Sequence, residues 1–215
     1  MSLVGKRDRV SNYFSVKNGK VVLSLGKEEP QVMDGVSKRV NKNGDAVYEI
    51  VNDYIAGRIV DLDLQEPPKD KPDYKELMLI TMEADGVKAI VQIPFDSAYG
   101  RGFLNSAEGI DFSDPVELEP YKYTDKKAGR EKMGCSVVQY GKQLPWTMGT
   151  KATPGGVPQL EEVEFKGKKA WDNTKQLAFY HDFYDQLKTR VSEAVGSLPP
   201  VPEPMSEEDE PEVGF

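Results

Sequence analysis

A short stretch in the first half of this chain alternates strictly between apolar and polar residues. Residues 60–64, Val-Asp-Leu-Asp-Leu, have the period of a strand with one buried face. The residues before them, back to 46, are rich in strand formers, so we predict one long strand over 46–64. Gly57 falls inside it, where a bend would let the strand serve both sides of a barrel.

A tight turn is predicted near the start of the chain. Asn18-Gly19 separates the strand formers of 13–16 from those of 20–24. Asn-Gly between such runs is a strong hairpin signal, because both residues tolerate positive φ. We therefore predict an N-terminal β-hairpin, followed by a basic link over 37–43.

A second hairpin is predicted around Asp85-Gly86, which separates residues 77–83 from 87–95. The polar segment 65–75, rich in proline and lysine, precedes it and is predicted to be a loop. The long strand and this hairpin together give three consecutive strands.

A short helix and two further strands follow. Asp96-Ser97 is an N-cap signal for a helix over 98–105, which its glycines should keep short. Strand patterns return at 116–123 and at 133–140, with a charged loop over 124–132 between them. A helix between the third and fourth of five strands is the connectivity of the OB-fold, a small Greek-key barrel that binds oligonucleotides.

The C-terminal third is predicted to hold a short hairpin at 161–169 and a helix over 172–195 capped by Asp172 or Asn173. The helix has one apolar face, which would pack on the barrel or join two copies of the chain. The predicted class is mainly β: a five-stranded OB-fold barrel with an added N-terminal hairpin, a C-terminal helix and a disordered acidic tail. The predicted divisions are an N-terminal extension (1–45), the OB-fold domain with its helix (46–195), and a proline-rich linker with the tail (196–215).

The net charge of −8 is distributed unevenly along the chain. Residues 201–215 contain six carboxylates and no basic residue, which leaves 30 acidic and 28 basic residues in the rest. Because the acidity is concentrated at one end, the low pI does not argue against nucleic-acid binding by the body.

Several functional classes lack the residues they need. The chain has one cysteine, Cys135, and one histidine, His181, so an internal disulfide, a Cys/His zinc site and a hydrolase triad are not expected. No segment has the length and apolarity of a membrane span or a signal peptide, so we expect a soluble cytoplasmic protein. We also expect no cofactor.

The last ten residues, Ser-Glu-Glu-Asp-Glu-Pro-Glu-Val-Gly-Phe, combine carboxylates with a terminal aromatic residue. Such a segment has almost nothing apolar to bury and should not fold alone. It can present one aromatic side chain and a carboxylate to a basic pocket of another protein. The alternative is a tail that serves only solubility, but a solubilising tail gains nothing from an exposed Phe.

This tail resembles that of bacterial and bacteriophage single-stranded DNA-binding proteins, and the strand order and the short helix extend the resemblance to most of the chain. The resemblance implies a protein without catalysis that coats single-stranded DNA with little sequence preference. It also implies recruitment of replication proteins (polymerase, helicase or nuclease) through the tail residues Glu207, Glu208, Asp209, Glu210, Glu212 and Phe215.

Two predicted loops contain the cations and aromatic rings that single strands require for phosphate contacts and base stacking. The first is the loop between the fourth and fifth strands with its flanks, and the second is the polar loop over 65–75, which would lie opposite as the other jaw. The candidate DNA-binding residues are Tyr121, Lys122, Tyr123, Lys126, Lys127, Arg130, Lys132, Tyr140, Lys142 and Trp146 around the first loop, Lys69, Lys71, Tyr74 and Lys75 in the second, and Arg101 of the short helix.

Two other functions fit parts of the sequence. One is an OB-fold adaptor that binds proteins but not DNA. The other is a metal-dependent nuclease that uses Asp61 and Asp63, although alternate acids on the outer face of a strand are the commoner explanation. Gly100-Arg101-Gly102 lacks the spacing of a phosphate-binding loop. A homo-oligomer is possible in each case.

Overall fold

A computed structural model of the chain describes residues 12–30, 34–70, 73–127, 129–149, 156–165 and 168–197. The predicted tail, with all of its candidate partner-binding residues, lies outside these ranges, as do most of the linker and Lys71. The elements are β1 (Asn12–Lys17), β2 (Lys20–Gly26), β3 (Val36–Val40), β4 (Ala46–Asn52), β5 (Ile55–Gln65), β6 (Leu77–Ala84), β7 (Val87–Pro94), α1 (Ala98–Ala107), β8 (Val116–Asp125), β9 (Arg130–Gln139), β10 (Lys142–Gln143), β11 (Glu161–Phe165), β12 (Lys168–Asp172) and α2 (Thr174–Gly196).

The mainly β class is confirmed. Ten strands form one sheet in the order β10-β9-β8-β5-β6-β7-β1-β2-β4-β3, and β11 and β12 form a separate hairpin. The sheet is not closed, so the predicted barrel is not confirmed. In the described residues β7 pairs in parallel with β1 of the N-terminal hairpin, where an OB-fold barrel would close through β9.

The five strands assigned to the predicted OB-fold follow the expected order. β5, β6 and β7 form an antiparallel meander, α1 follows, and β8 and β9 form an antiparallel hairpin. β5 pairs with two different strands: Ile55–Gly57 pair with β8 and residues 58–65 pair with β6. The change of partner falls just after Gly57, and the register shift lies between Ile59 and Asp61, two residues beyond the bend predicted at Gly57.

Both predicted tight turns are present. Asn18 and Gly19 have φ angles of 51° and 74°, and Asp85 and Gly86 have φ angles of 50° and 73°, which is the conformation that matches the twist of paired strands. The first turn also makes a long-range contact. Its Gly19 amide donates to the Tyr99 hydroxyl of α1 over 2.8 Å, which fixes the tip of the N-terminal hairpin against the body.

Three sequence-based assignments need correction. The long strand predicted over 46–64 is broken at Asp53-Tyr54, where the chain leaves its pairing with β2 and begins to pair with β8 and β6. The basic link over 37–43 is largely strand β3, which pairs with β4. The loop predicted over 124–132 is shorter, because β8 and β9 continue to Asp125 and Arg130.

The two helices share one core with the sheet. Ser97 caps α1 as predicted, since its hydroxyl accepts from the Gly100 amide at 3.0 Å. The predicted C-terminal helix is confirmed as α2, and its apolar face packs on the core. Tyr180, Tyr184 and Leu187 of that face are buried, and the Tyr184 hydroxyl donates to the Asp63 carbonyl of β5 at 2.8 Å.

Candidate nucleic-acid interface

The outer face of the β8–β9 hairpin carries a stripe of aromatic and charged residues. Along β8 the core side is set by Val116, Leu118 and Pro120, which are buried, so the alternate residues face outward. The outward cross-strand pairs, from the body to the tip, are Glu119 with Ser136, Tyr121 with Gly134, Tyr123 with Lys132, and Asp125 with Arg130. We call the six residues of the last three pairs, those nearest the tip, the hairpin stripe.

Two tyrosines form the part of the stripe that is farther from the tip. The Tyr121 and Tyr123 ring centroids are 5.9 Å apart, and Tyr123 is 53% exposed. Tyr121 lies across Gly134 and is half-buried, and this burial raises the pKa of its phenol. The two rings therefore offer neighbouring aromatic faces to which bases can stack.

The cations of the hairpin differ in what surrounds them. Lys132 pairs with Asp125 at 2.6 Å, which raises the Lys132 pKa, and Lys122 pairs with Glu131 at 3.0 Å. Three exposed side chains at the tip, those of Lys126, Lys127 and Arg130, form no ion pair with any described residue. These three are thus the cations of the hairpin that can meet phosphates without first losing a carboxylate partner.

The polar loop over 65–75 lies at the other end of β5. β8 runs antiparallel to β5, and its Leu118 lies opposite Ile55 at the start of β5. The part of β8 after Leu118, with the hairpin tip, therefore extends beyond the start of β5. The loop follows the opposite end of β5, after Gln65. Lys75 donates to the Asp96 carbonyl at 3.2 Å and Arg101 pairs with the Asp96 carboxylate at 2.9 Å, so these two candidates lie together. The other described candidates of this loop, Lys69 and Tyr74, are exposed.

Tyr140, Lys142 and Trp146 are not part of the hairpin stripe. Tyr140 is 67% exposed, but its hydroxyl donates to Asp114 at 2.6 Å and lies 3.2 Å from Asp111. The hydrogen bond to Asp114 raises the Tyr140 pKa, and both carboxylates oppose a nearby phosphate. Lys142 is exposed on β10, and Trp146 is half-buried.

A neighbouring surface was missed by the sequence reasoning. The Asn18-Gly19 turn and the Asp53-Tyr54 bend come to lie beside Tyr121 and enclose with it a cavity of about 410 Å³. Tyr54 is 51% exposed and adds a further aromatic face there. Its proximity to β8 could not be predicted, because it follows from the pairing of distant strands. The one available signal was Asn52-Asp53, a pair of turn formers inside the predicted long strand.

The acids considered for a nuclease site are Asp61 and Asp63 on β5. The Asp63 carboxylate accepts from Lys188 of α2 at 3.1 Å, and this contact lowers its pKa. Within the described ranges no group of three or more His, Cys, Asp or Glu residues is placed to hold a metal ion.

Comparison with known proteins adds no family to this description: no protein-family model matches the chain, and no curated protein matches its sequence significantly. None of the helices in the described residues is long and apolar enough to cross a membrane. The geometry of the described residues is therefore what supports a function.

Proposed function

We propose that this protein binds single-stranded DNA through the hairpin stripe and its cationic tip, with little sequence preference and without catalysis. The observation that carries the proposal is the joint placement of two adjacent tyrosine rings and three unpaired cations on one projecting hairpin. Stacking and phosphate contact are the two interactions that sequence-tolerant single-strand binding requires.

The fold supports the same function. A meander of three strands, a helix and a final hairpin, with β5 pairing on two sides, follow one another along the chain as the elements of an OB-fold do. In that fold the loop between the fourth and fifth strands is one of those that hold the ligand, and here it joins β8 to β9. We therefore propose an OB-fold variant with an open sheet, in which the N-terminal hairpin occupies the place beside β7 that β9 would take in a closed barrel.

The biological setting is part of the proposal. The protein would protect exposed strands in the replication, recombination and repair of bacteriophage DNA, in the cytoplasm of a host cell. Its acidic tail would recruit a polymerase, helicase or nuclease through Phe215. Binding as a homo-oligomer is compatible with this role.

The proposal is tested by titrating a fluorescent oligo-dT with the protein at two salt concentrations, with and without Mg²⁺. We expect binding that weakens steeply with salt and an oligonucleotide that remains intact. A lack of binding at both salt concentrations would favour a protein-binding adaptor. Cleavage that requires Mg²⁺ would favour a nuclease.

The tip cations allow a sharper measurement. Replacing Lys126, Lys127 and Arg130 together with Ala should weaken binding to any single strand about equally. Each lost phosphate contact should reduce the slope of log K against log salt by about 0.7. The matched control replaces Lys38, Lys42 and Lys88 together with Ala: these lysines are exposed and lie outside the candidate DNA-binding residues, so the variant loses the same charge and should keep the wild-type slope. An unchanged slope in the tip variant would place this loop outside the interface.

A further inference from the structure

The cavity beside Tyr121 has the size of a ligand site. Its volume of about 410 Å³ lies within the usual range for small-molecule pockets. The β1–β2 turn forms one wall, the Asp53-Tyr54 bend forms another, and the outer face of β8 and β9 forms the floor. Tyr54 and Tyr121 give this space two aromatic side chains, so a flat ring is the kind of group that it accommodates.

One carboxylate in the cavity has no partner. The lining contains two lysines, and each is already paired: Lys20 with Asp53, and Lys122 with Glu131. Glu119 also lines the cavity and is half-buried, yet within the described part of the chain its carboxylate forms neither an ion pair nor a hydrogen bond. A carboxylate without a protein donor offers both of its oxygens to a ligand, so the site favours a ligand that donates hydrogen bonds.

Ser136 adds a second polar group next to Glu119. The two residues are cross-strand partners on the outer face, and the Ser136 hydroxyl already accepts from the Gln143 amide at 3.1 Å. Its own proton is therefore available for an acceptor atom on a ligand. The floor of the cavity thus offers a pair of carboxylate acceptors beside one hydroxyl donor.

Among the bases of a single strand, guanine matches this arrangement best. Its N1–H and N2–H groups point in the same direction and can donate to both oxygens of one carboxylate, with O6 beside them as an acceptor. Cytosine and adenine offer the amino group as their one donor on this edge, next to a ring nitrogen that is an acceptor. Thymine offers one N–H donor, and the carbonyl oxygens on both sides of it repel a carboxylate.

We propose that this cavity is a guanine-selective pocket, in which Glu119 accepts from the Watson–Crick edge while Tyr54 and Tyr121 contact the ring. The inference rests on the proposed binding of single strands, because the pocket continues the hairpin stripe beyond Tyr121. It adds a preference for guanine at one position of an otherwise sequence-tolerant interface.

The test compares a short oligo-dT with the same strand carrying one dG, or one hypoxanthine, which lacks the N2 amino group. We expect the strand with dG to bind about tenfold more tightly than oligo-dT, and the strand with hypoxanthine to lose most of that gain. Glu119→Gln should abolish the preference for dG while leaving the affinity for oligo-dT within about twofold. Glu117→Gln is the matched control, since Glu117 lies two residues earlier on the same half-buried face but outside the cavity.

Equal affinity of the wild-type protein for the two strands, or a preference for dG that survives Glu119→Gln, would overturn the pocket and leave single-strand binding in place. Failure to bind any strand would overturn the proposed function instead. In that case binding of free guanosine monophosphate, measured by calorimetry, would decide the pocket separately: Glu119-dependent binding would support it, and no binding would overturn it.

Discussion

At the scale of single residues, the position of Tyr121 depends on the absence of a side chain at its cross-strand partner. A Cβ atom at Gly134 would lie 2.5 Å from the Tyr121 hydroxyl oxygen and 2.7 Å from the ring carbon that carries it. Gly134→Ala should therefore displace this ring from its place beside Tyr123. We expect the affinity for oligo-dT to fall by roughly 1–3 kcal/mol, the usual contribution of one stacked base.

The displacement should cost little stability, because the colliding atoms belong to the end of a movable side chain. Fluorescence anisotropy measures the affinity, and a thermal melt confirms that the variant is folded. Gly196→Ala serves as the control, since no atom lies within 4 Å of the added methyl group. Wild-type affinity in Gly134→Ala would exclude Tyr121, in its present position, from the interface.

For single residues, the sequence predicts which residue types a binding site contains but not which of their side chains already have partners. Residue types and spacing predict that the β8–β9 hairpin is rich in lysine and tyrosine. They do not reveal that Lys122 and Lys132 are paired with carboxylates, or that Tyr140 lies between Asp111 and Asp114. Those contacts depend on register and on loops that meet only after folding, so the candidates with and without partners look alike in the sequence.

At the scale of elements, two glycine substitutions distinguish the stability that comes from docking of the N-terminal hairpin from the strain of placing Ala in its turn. Gly19 and Gly86 occupy equivalent turns with φ near 74° and 73°. A Cβ atom at Gly19 would lie 2.5 Å from the Lys122 backbone nitrogen, whereas one at Gly86 would meet nothing within 4 Å. Both Ala variants incur the cost of a left-handed residue, about 1–2 kcal/mol, and only Gly19→Ala adds a collision with backbone.

We therefore expect Gly19→Ala to lower the free energy of unfolding by about 1–3 kcal/mol more than Gly86→Ala does. Denaturant titrations of the two variants beside the wild-type protein measure this difference. Equal losses would mean that the contact between the hairpin tip and β8 contributes nothing to stability.

Elements with local signals were predictable, and those that depend on distant pairing were not. The Asn18-Gly19 and Asp85-Gly86 turns, the Ser97 cap and the apolar face of α2 are each encoded within a few residues. The parallel pairing of β1 with β7 joins segments more than 70 residues apart and has no short sequence signature. For the same reason the predicted barrel omitted the N-terminal hairpin from its sheet.

At the scale of the whole molecule, the separation of charge along the chain matters more than the net charge of −8. The tip cations lie on one projecting hairpin, while the last fifteen residues carry six carboxylates and no base. A chain segment attached to the same molecule reaches a local concentration on the order of millimolar near a site that it can span. The tail, which lies outside the described residues, is thus expected to compete with DNA phosphates for the tip.

Deleting residues 206–215 should therefore tighten the binding of oligo-dT, because five of those carboxylates are removed. The gain should be largest at low salt, where charges are least screened, and should shrink as salt rises. Deleting only Phe215 is the matched control: the acidic side chains remain, so DNA affinity should stay nearly unchanged, but the aromatic group needed for partner recruitment is lost. Affinity for oligo-dT and pull-down of replication proteins, measured on both variants, separate the two roles. Weaker DNA binding after the full deletion, or unaltered partner capture without Phe215, would reduce the tail to a solubilising segment.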